Sequence, residues 1–228
     1  MRLIVHADDL GMSEAVDNAV IEALAEGTAT STSVLATGPT FEAALARLPR
    51  DTCLGVHLDL TGFPALTGSS VLEEWRAQVA KVRAAGWEPT HMDSHQHVHW
   101  KPFLWPFLRT LMEETGIRAV RGIGAWRPEV SRLRELPQRA RAARFRRAFS
   151  GFVTTDGFAN ASTFRAREEA GAQRPDTLEV MVHPGNPAHD RYAVELAWMR
   201  EGAWRAGTTP VSWRDLVGEW PRNGGSAP

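Results

Sequence analysis

Short β-prone runs alternate with segments of helical apolar spacing along nearly the whole 228-residue chain. This alternation limits the fold more than any other feature. Consecutive strands joined by helices call for a mostly parallel sheet with helical crossovers. "RLIVHAD" reads as a buried strand. In "SEAVDNAVIEALAEG", Val16, Ala19, Val20, Ala23 and Leu24 recur at helical spacing, with Ser13 as N-cap and Gly27 as stop. "TATSTSVLAT", "CLGVHLDL", "EPTHMDS", "IRAVRG" and "TLEVMVHPG" are strand-like, whereas "PTFEAALARL", "SVLEEWRAQVAKVRAAG", "PFLWPFLRTLMEETG" and "RYAVELAWMREGAWRAG" are helix-like. Pro39 opens the first of these helices near its first turn. Pro106 either kinks the third or resets its start. The expectation is one domain over residues 1–220 and a loose tail from Pro221 to Pro228. Spacing alone accommodates a closed barrel and an open doubly wound sheet equally.

The polar residues fall at particular places in this pattern. Asp8, Asp9, His57, the cluster "THMDSHQHVH" from Thr90 to His99, and His183 all stand at or just after strand ends. In α/β folds those carboxyl ends form the rim of the active site. A mononuclear divalent-metal site needs about three protein ligands and an open position. Imidazole and carboxylate donors suit zinc, and equally nickel, cobalt, iron or manganese. The available donors are Asp8 or Asp9, His57, and one or more of His91, His95, His97 and His99. A period of two puts those four histidines and Asp93 on one side of an extended chain. One ion cannot take them all, so some orient ligands, contact substrate or support the fold. Neighbours such as Asp8 and Asp9 point oppositely in a strand, so both reach one ion only where the strand has ended. Gly11 permits such a turn, and one carboxylate can then bind metal while the other accepts a proton. His183, followed by Pro184 and Gly185, could protonate a leaving group or merely hydrogen-bond its loop.

Other classes find little support. A net charge of -1 exerts no overall pull toward nucleic acid or anionic lipid. The single cysteine, Cys53, cannot form an internal disulfide and fits a reducing compartment. No apolar window approaches the roughly 18 residues of a membrane span, and the apolar run after Met1 is short for a signal peptide. A cytoplasmic protein is expected. No GxSxG elbow, P-loop or GxGxxG follows the first strand. The segment from Ser131 to Phe149 holds seven arginines and one glutamate. It reads first as a solvated helix with a weak apolar face of Leu133, Leu136, Ala140 and Ala143, beside which an anionic-substrate site or a partner surface stays open. Phe145 and Phe149 are too few aromatics for a nucleic-acid groove. Of the nine tryptophans, Trp75, Trp87, Trp105 and Trp126 suit helix-to-sheet packing, and Trp100 is best placed as a sugar-stacking platform.

"HADDLG", "GVHLDLT", "THMDSHQHVH", "TTDGF" and "EVMVHPG", in that order, resemble the YdjC-like carbohydrate deacetylases. That family includes chitooligosaccharide deacetylases and deacetylases of hopanoid biosynthesis. The resemblance implies an α/β fold, a distorted (β/α) barrel related to polysaccharide deacetylases. It also implies one divalent ion (Mg, Zn, Ni or Co) held by Asp9, His57 and His95. Asp8 would be the general base and His183 the general acid of N-acetyl removal from an amino sugar or oligosaccharide. His97, His99, Trp100 and Asp156 are candidate substrate contacts. The stretch between Thr61 and Pro89 is shorter than in chitooligosaccharide-type members, which leaves a different acetylated sugar open. The partner expected is this sugar substrate, with no nucleic acid and no membrane span; a homodimer is compatible. Two other readings stand beside this one. One is a metal-dependent hydrolase of a phosphorylated or non-sugar amide substrate; the other is a non-catalytic sugar- or metal-binding protein.

Overall fold

A computed structural model describes residues 1–62, 68–124, 132–189 and 191–219. Its strands are β1 (Arg2–Leu10), β2 (Ser31–Val34), β3 (Leu54–Leu58), β4 (His91–Ser94), β5 (Ala119–Val120), β6 (Gly157–Asn160), β7 (Thr177–Val182) and β8 (Thr209–Pro210). The helices are α1 (Glu14–Ala25), α2 (Phe41–Arg47), α3 (Gly68–Ala84), α4 (Trp105–Thr115), α5 (Arg132–Ala148), α6 (Ala161–Glu169), α7 (Tyr192–Glu201) and α8 (Trp213–Glu219). Neighbouring strands run β5-β4-β3-β2-β1-β7-β6, with β8 beside the start of β1, and the described pairings are parallel. A parallel bridge between Ala119 and Val153, shortly before β6, ties the β5 edge back toward the other end of the sheet. The result is the expected distorted, partly closed barrel.

The alternation of β-strand side chains sorts the two faces of this curled sheet. On β1, Leu3, Val5 and Ala7 join the large core beneath the helices. Ile4, His6 and Asp8 face the other way. Ile4 packs with Cys53, Ala119, Val153, Trp213 and Leu216 at the amino ends of the strands, where α8 closes the interior. Above this apolar floor the interior is polar: His6, His57, His91, Asp93, Arg121 and Glu179 are all buried. Gly55 makes room for one of them, since a Cβ there would lie 2.5 Å from the His91 ring.

Local signals mark the helix ends as the sequence suggests. Ser13 accepts the Val16 amide to cap α1, and Gly116 closes α4 in the left-handed conformation. Pro106 lies in the first turn of α4, so it resets the helix after a short 3₁₀ turn, Pro102–Leu104. The arginine-rich segment is helical, but its apolar face differs from the expected one. Ala140 and Ala143 are exposed, and Ala142, Phe145 and Phe149 are buried instead. Phe145 packs edge-on against Trp105, and Arg141 donates 2.6 Å to the Trp100 carbonyl. The Leu133 and Leu136 side chains, Trp126 and the tail from Pro221 lie outside the described residues. No described helix is long and apolar enough to cross a membrane.

Candidate metal centre and active site

The barrel rim gathers Asp9, His57 and His95 from the ends of β1, β3 and β4. One donor atom from each lies within 4.8 Å of the others. The backbone achieves this at some cost. β1 bulges between Ala7 and Leu10, and Asp9 adopts φ 69°, rare for a residue with a Cβ. This turn lets Asp9 face the histidines although Asp8, its neighbour, stays inside the barrel. His95 follows the last residue of β4 and begins a 3₁₀ turn, His95–Trp100. Within it Gln96 and His97 have φ 52° and 54°. Three left-handed non-glycine residues around one site are the kind of strain that a fold retains where function requires the geometry.

Asp9 Oδ1 lies 3.2 Å from His57 Nε2 and 3.1 Å from His95 Nδ1. The far nitrogen of His57, Nδ1, is 2.9 Å from Asp93 Oδ2 and 3.1 Å from Ser33 Oγ. A proton on Nδ1 faces the Asp93 carboxylate and leaves the Nε2 lone pair toward Asp9. That is the carboxylate–histidine arrangement that fixes a metal ligand's tautomer. Two acceptors then face each other across 3.2 Å, and a cation between them resolves the conflict. Without one, a second proton does so. Burial alone would push the His57 imidazole down, yet the surrounding Asp93, Asp9 and Asp8 carboxylates hold it well above the ordinary histidine range.

Beneath the rim, Arg121 organises the buried charges. Its guanidinium donates to Asp8 Oδ1 at 2.6 Å and Oδ2 at 2.7 Å, lies 2.8 Å from Asp93 Oδ2, and reaches Glu179 at 3.1 Å. Burial would raise the Asp8 carboxyl, but Arg121 overrides it and holds Asp8 well below the usual carboxylate range. Glu179 is pushed up chiefly by burial. With a single proton on His57, ionised Asp8, Asp9 and Asp93 against one guanidinium leave two negative charges in a low-dielectric interior. Such an excess is costly unless paired, and a divalent cation at the Asp9–His57–His95 trio matches it in position and sign.

Asp8 also ends a chain of buried hydrogen bonds. His6 Nδ1 is 2.7 Å from Asp8 Oδ1, His6 Nε2 is 2.7 Å from His91 Nε2, and His91 Nδ1 is 2.8 Å from Thr90 Oγ1. His6 Nδ1 also lies 2.9 Å from the Arg121 guanidinium, so the His6 ring stands between that cation and the Asp8 carboxylate. His91 stacks on Trp213 and is held well below the histidine range by burial and by His6.

His183 directly follows Val182, the register partner of Ala7, and so comes out on the rim beside Asp8. Its Nδ1 lies 3.1 Å from Glu195 Oε2 on α7, and the same oxygen accepts the His183 amide at 2.8 Å. Burial acts to lower this imidazole, but Glu195 prevails and raises it. His183, His189 and Glu195 form a second trio of donors within 4.8 Å. However, the two rings are stacked, with centroids 3.8 Å apart at 20°. Lone pairs of stacked imidazoles run side by side instead of converging, so this trio is shaped for holding a proton and poorly shaped for an ion.

The four suggested substrate contacts separate. His97 lies on Trp100, ring centroids 4.3 Å apart and nearly parallel, with Phe158 edge-on to both. Burial and the nearby Arg121 push His97 down to about 3, so it is a neutral hydrogen-bonding group. One face of Trp100 is therefore occupied by His97, which limits it as a platform. The expected period of two ends at Ser94, and with it the single row of histidines. His99 is fully buried, 2.5 Å from Ser94 Oγ through Nδ1, and its carbonyl accepts the Trp105 indole; it supports the turn. Asp156 precedes β6 at the amino end of the sheet, opposite the rim. Its carboxylate accepts the Thr177 amide and hydroxyl at 3.1 and 2.7 Å, which joins β6 to β7 at the end of the sheet opposite the Asp9–His57–His95 trio.

Residues 2–208 match the family described as YdjC-like protein. A chitooligosaccharide deacetylase from Citrobacter koseri is 29% identical over 211 residues, covering 80% of this chain and 81% of that protein. Among solved structures, a putative cellobiose-phosphate cleavage protein from Enterococcus faecalis superposes with a TM-score of 0.73 at 21% identity, covering 95% of this chain and 98% of that one. A peptidoglycan deacetylase from Bacillus subtilis gives 0.53 at 16% identity, with 95% and 90% covered. These two likenesses establish the fold, a parallel curled sheet of the polysaccharide-deacetylase kind.

Proposed function

The chain belongs to the YdjC-like protein family, and from that premise we propose that it is a carbohydrate deacetylase that hydrolyses an N-acetyl group of an amino sugar or oligosaccharide with one divalent ion. The observation that carries this reading is the convergence of Asp9, His57 and His95 on one point of the rim. The name of the Citrobacter koseri relative supports acetyl removal from a sugar.

Asp9 Oδ1, His57 Nε2 and one ring nitrogen of His95 would hold the ion. When bound it supplies Lewis acidity to the acetyl carbonyl and to the attacking water. Asp8 accepts a proton from that water. Arg121 and His6 occupy both Asp8 oxygens, but Oδ2 makes only the Arg121 contact and keeps a lone pair for this purpose. Asp93 fixes the His57 ring. His183, held by Glu195, gives its Nε2 proton to the departing amine, which leaves poorly as an anion. His97 and Trp100 line the wall beside the 3₁₀ turn and contact the sugar.

An acetate-release screen over N-acetylated mono- and oligosaccharides, using metal-reconstituted protein, tests the reading. Acetate release that disappears with chelator and returns with metal is the expected result. Full metal content in a His57→Ala, His95→Ala double variant would overturn the site. Phosphate release from a phosphorylated sugar, with no acetate from any amino sugar, would overturn the reaction.

A further inference from the structure

His189 stands outside the machinery just described, yet its imidazole lies flat on His183 with centroids 3.8 Å apart at 20°. We infer that His189 is a positioning residue for the general acid: it holds the His183 ring face-on while Glu195 holds it edge-on, so that Nε2 alone faces the leaving amine. The inference rests on the deacetylase reading for its chemical meaning, but the geometry stands independently.

An imidazole attached to a turn can rotate about two side-chain bonds. The bond from His183 Nδ1 to Glu195 restrains the ring within its plane, and that single contact leaves the ring free to tilt about the Nδ1···O line. A second ring against its face removes the tilt. His189 is itself well anchored. Its amide donates to the Asn186 carbonyl at 3.0 Å, its carbonyl accepts the Tyr192 amide at 3.1 Å, and its Nδ1 accepts the Arg191 amide at 3.3 Å. The last bond makes Nδ1 an acceptor, which assigns the neutral ring its proton on Nε2. Gly185, at φ 74°, starts this turn and seats it on α1, where its Cα is so close that a Cβ would lie 2.3 Å from the Ala15 carbonyl oxygen. These bonds tie His189 into the turn that carries the stack.

The stack also has a charge consequence. A neutral π-system over a cation attracts it, whereas a second cation at this distance repels it. Among the described residues, the charged groups that raise His183 are Glu195 from α7 and Asp8 and Asp9 from β1; all are carboxylates that favour the imidazolium. His189 adds a polarisable face without adding charge. The positioned acid is thus retained in its proton-bearing form.

The test compares His189→Ala, His189→Phe and His189→Lys in the full-length, metal-loaded protein. Two readouts are used: the imidazole titration of His183 by NMR, assigned through His183→Ala, and the pH profile of acetate release. Removing the stack should lower the His183 pKa by about half a unit to one unit, a roughly three- to tenfold change in its protonation equilibrium, the scale of an interaction with a ring face. The alkaline limb of turnover should move by the same amount, with kcat affected more than KM. Phenylalanine should restore most of both quantities, and lysine should depress the pKa further than alanine. Unchanged His183 titration in His189→Ala would overturn the inference. Equal losses in the alanine and phenylalanine variants would overturn it also, because they would show that the ring face contributes nothing. The NMR readout needs no turnover, so an enzyme that releases no acetate from amino sugars would reject the proposed reaction while leaving the stack's effect on His183 to be decided separately.

Discussion

Asp8 and Asp93 differ in what their loss should do, although Arg121 grips both. Asp8→Asn keeps an oxygen for Arg121 but removes a buried negative charge. Stability should fall by up to about 3 kcal/mol, the lower end for a broken buried pair, because Asp93 and Glu179 still partner the guanidinium. Turnover should fall by a factor of about 100 or more, the scale of a lost general base, with metal content unchanged. Near-wild-type turnover at metal saturation would remove Asp8 from the reaction. Asp93→Asn acts on binding instead. It loosens the His57 ring and should weaken metal affinity by about 10- to 100-fold, measured by competition with a chromophoric chelator; unaltered affinity would show that Ser33 alone orients His57. Local patterning brings Asp8 or Asp9, His57 and the histidine cluster to strand ends, and the family resemblance narrows these candidates to Asp9, His57 and His95. Arg121 and Glu179 could not be found this way, since an isolated charged residue in an apolar strand shows its purpose only once the distant strand bearing its partner is beside it. "TLEVMV" carries that hint, one charge amid residues destined for the interior, and "IRAVRG" carries two arginines, of which Arg121 is the buried one.

Short segments between regular elements do much of the aiming. The sequence pattern located β1, β3, β4 and β7 and the helices after them, because alternation and capping are local properties. It misplaced the histidine row because the chain leaves the strand at Ser94 and turns through two left-handed residues, which no periodicity announces. The "TTDGF" resemblance offers Asp156 as a substrate contact, and a motif does not say which end of the sheet a residue occupies. The turn after β7 offers a test of how strictly such segments are built. Gly185→Ala must place a Cβ in the left-handed region and 2.3 Å from the Ala15 carbonyl. The expected cost is about 2–4 kcal/mol, combining left-handed strain with overpacking, read from the denaturant midpoint. Since α1 cannot yield without moving the bulge that carries Asp9, the turn should shift instead. Turnover at temperatures where the variant is fully folded should then drop while metal content holds. A variant that is less stable yet fully active would mean that His183 tolerates a displaced turn.

Protons and metal compete for the same interior, and this couples the stability of the molecule to pH in two directions. Asp8, Asp9 and Asp93 are held below the ordinary carboxylate range. They contribute stability that is present above about pH 4 and lost as pH falls through their folded values. Both metal-free and metal-loaded protein should therefore weaken in acid. His57 has the opposite sign. In metal-free protein its folded pKa lies well above the ordinary value, so its contribution is complete below about pH 6.5 and disappears as pH rises through the folded pKa. A bound ion takes the place of that proton between Asp9 and His57, and it binds more tightly as the proton leaves. The gap between loaded and metal-free protein should consequently widen from pH 6 toward pH 9. At a free metal concentration about 100 times the dissociation constant the gap is about 2.7 kcal/mol, and it shrinks as protons weaken the affinity. Thermal unfolding midpoints across that pH range, with chelator and with saturating metal, measure the gap directly. A difference that stays constant with pH would mean that metal binding releases no proton. The ion would then have to sit away from His57, and the charge argument for the Asp9–His57–His95 site would fail with it.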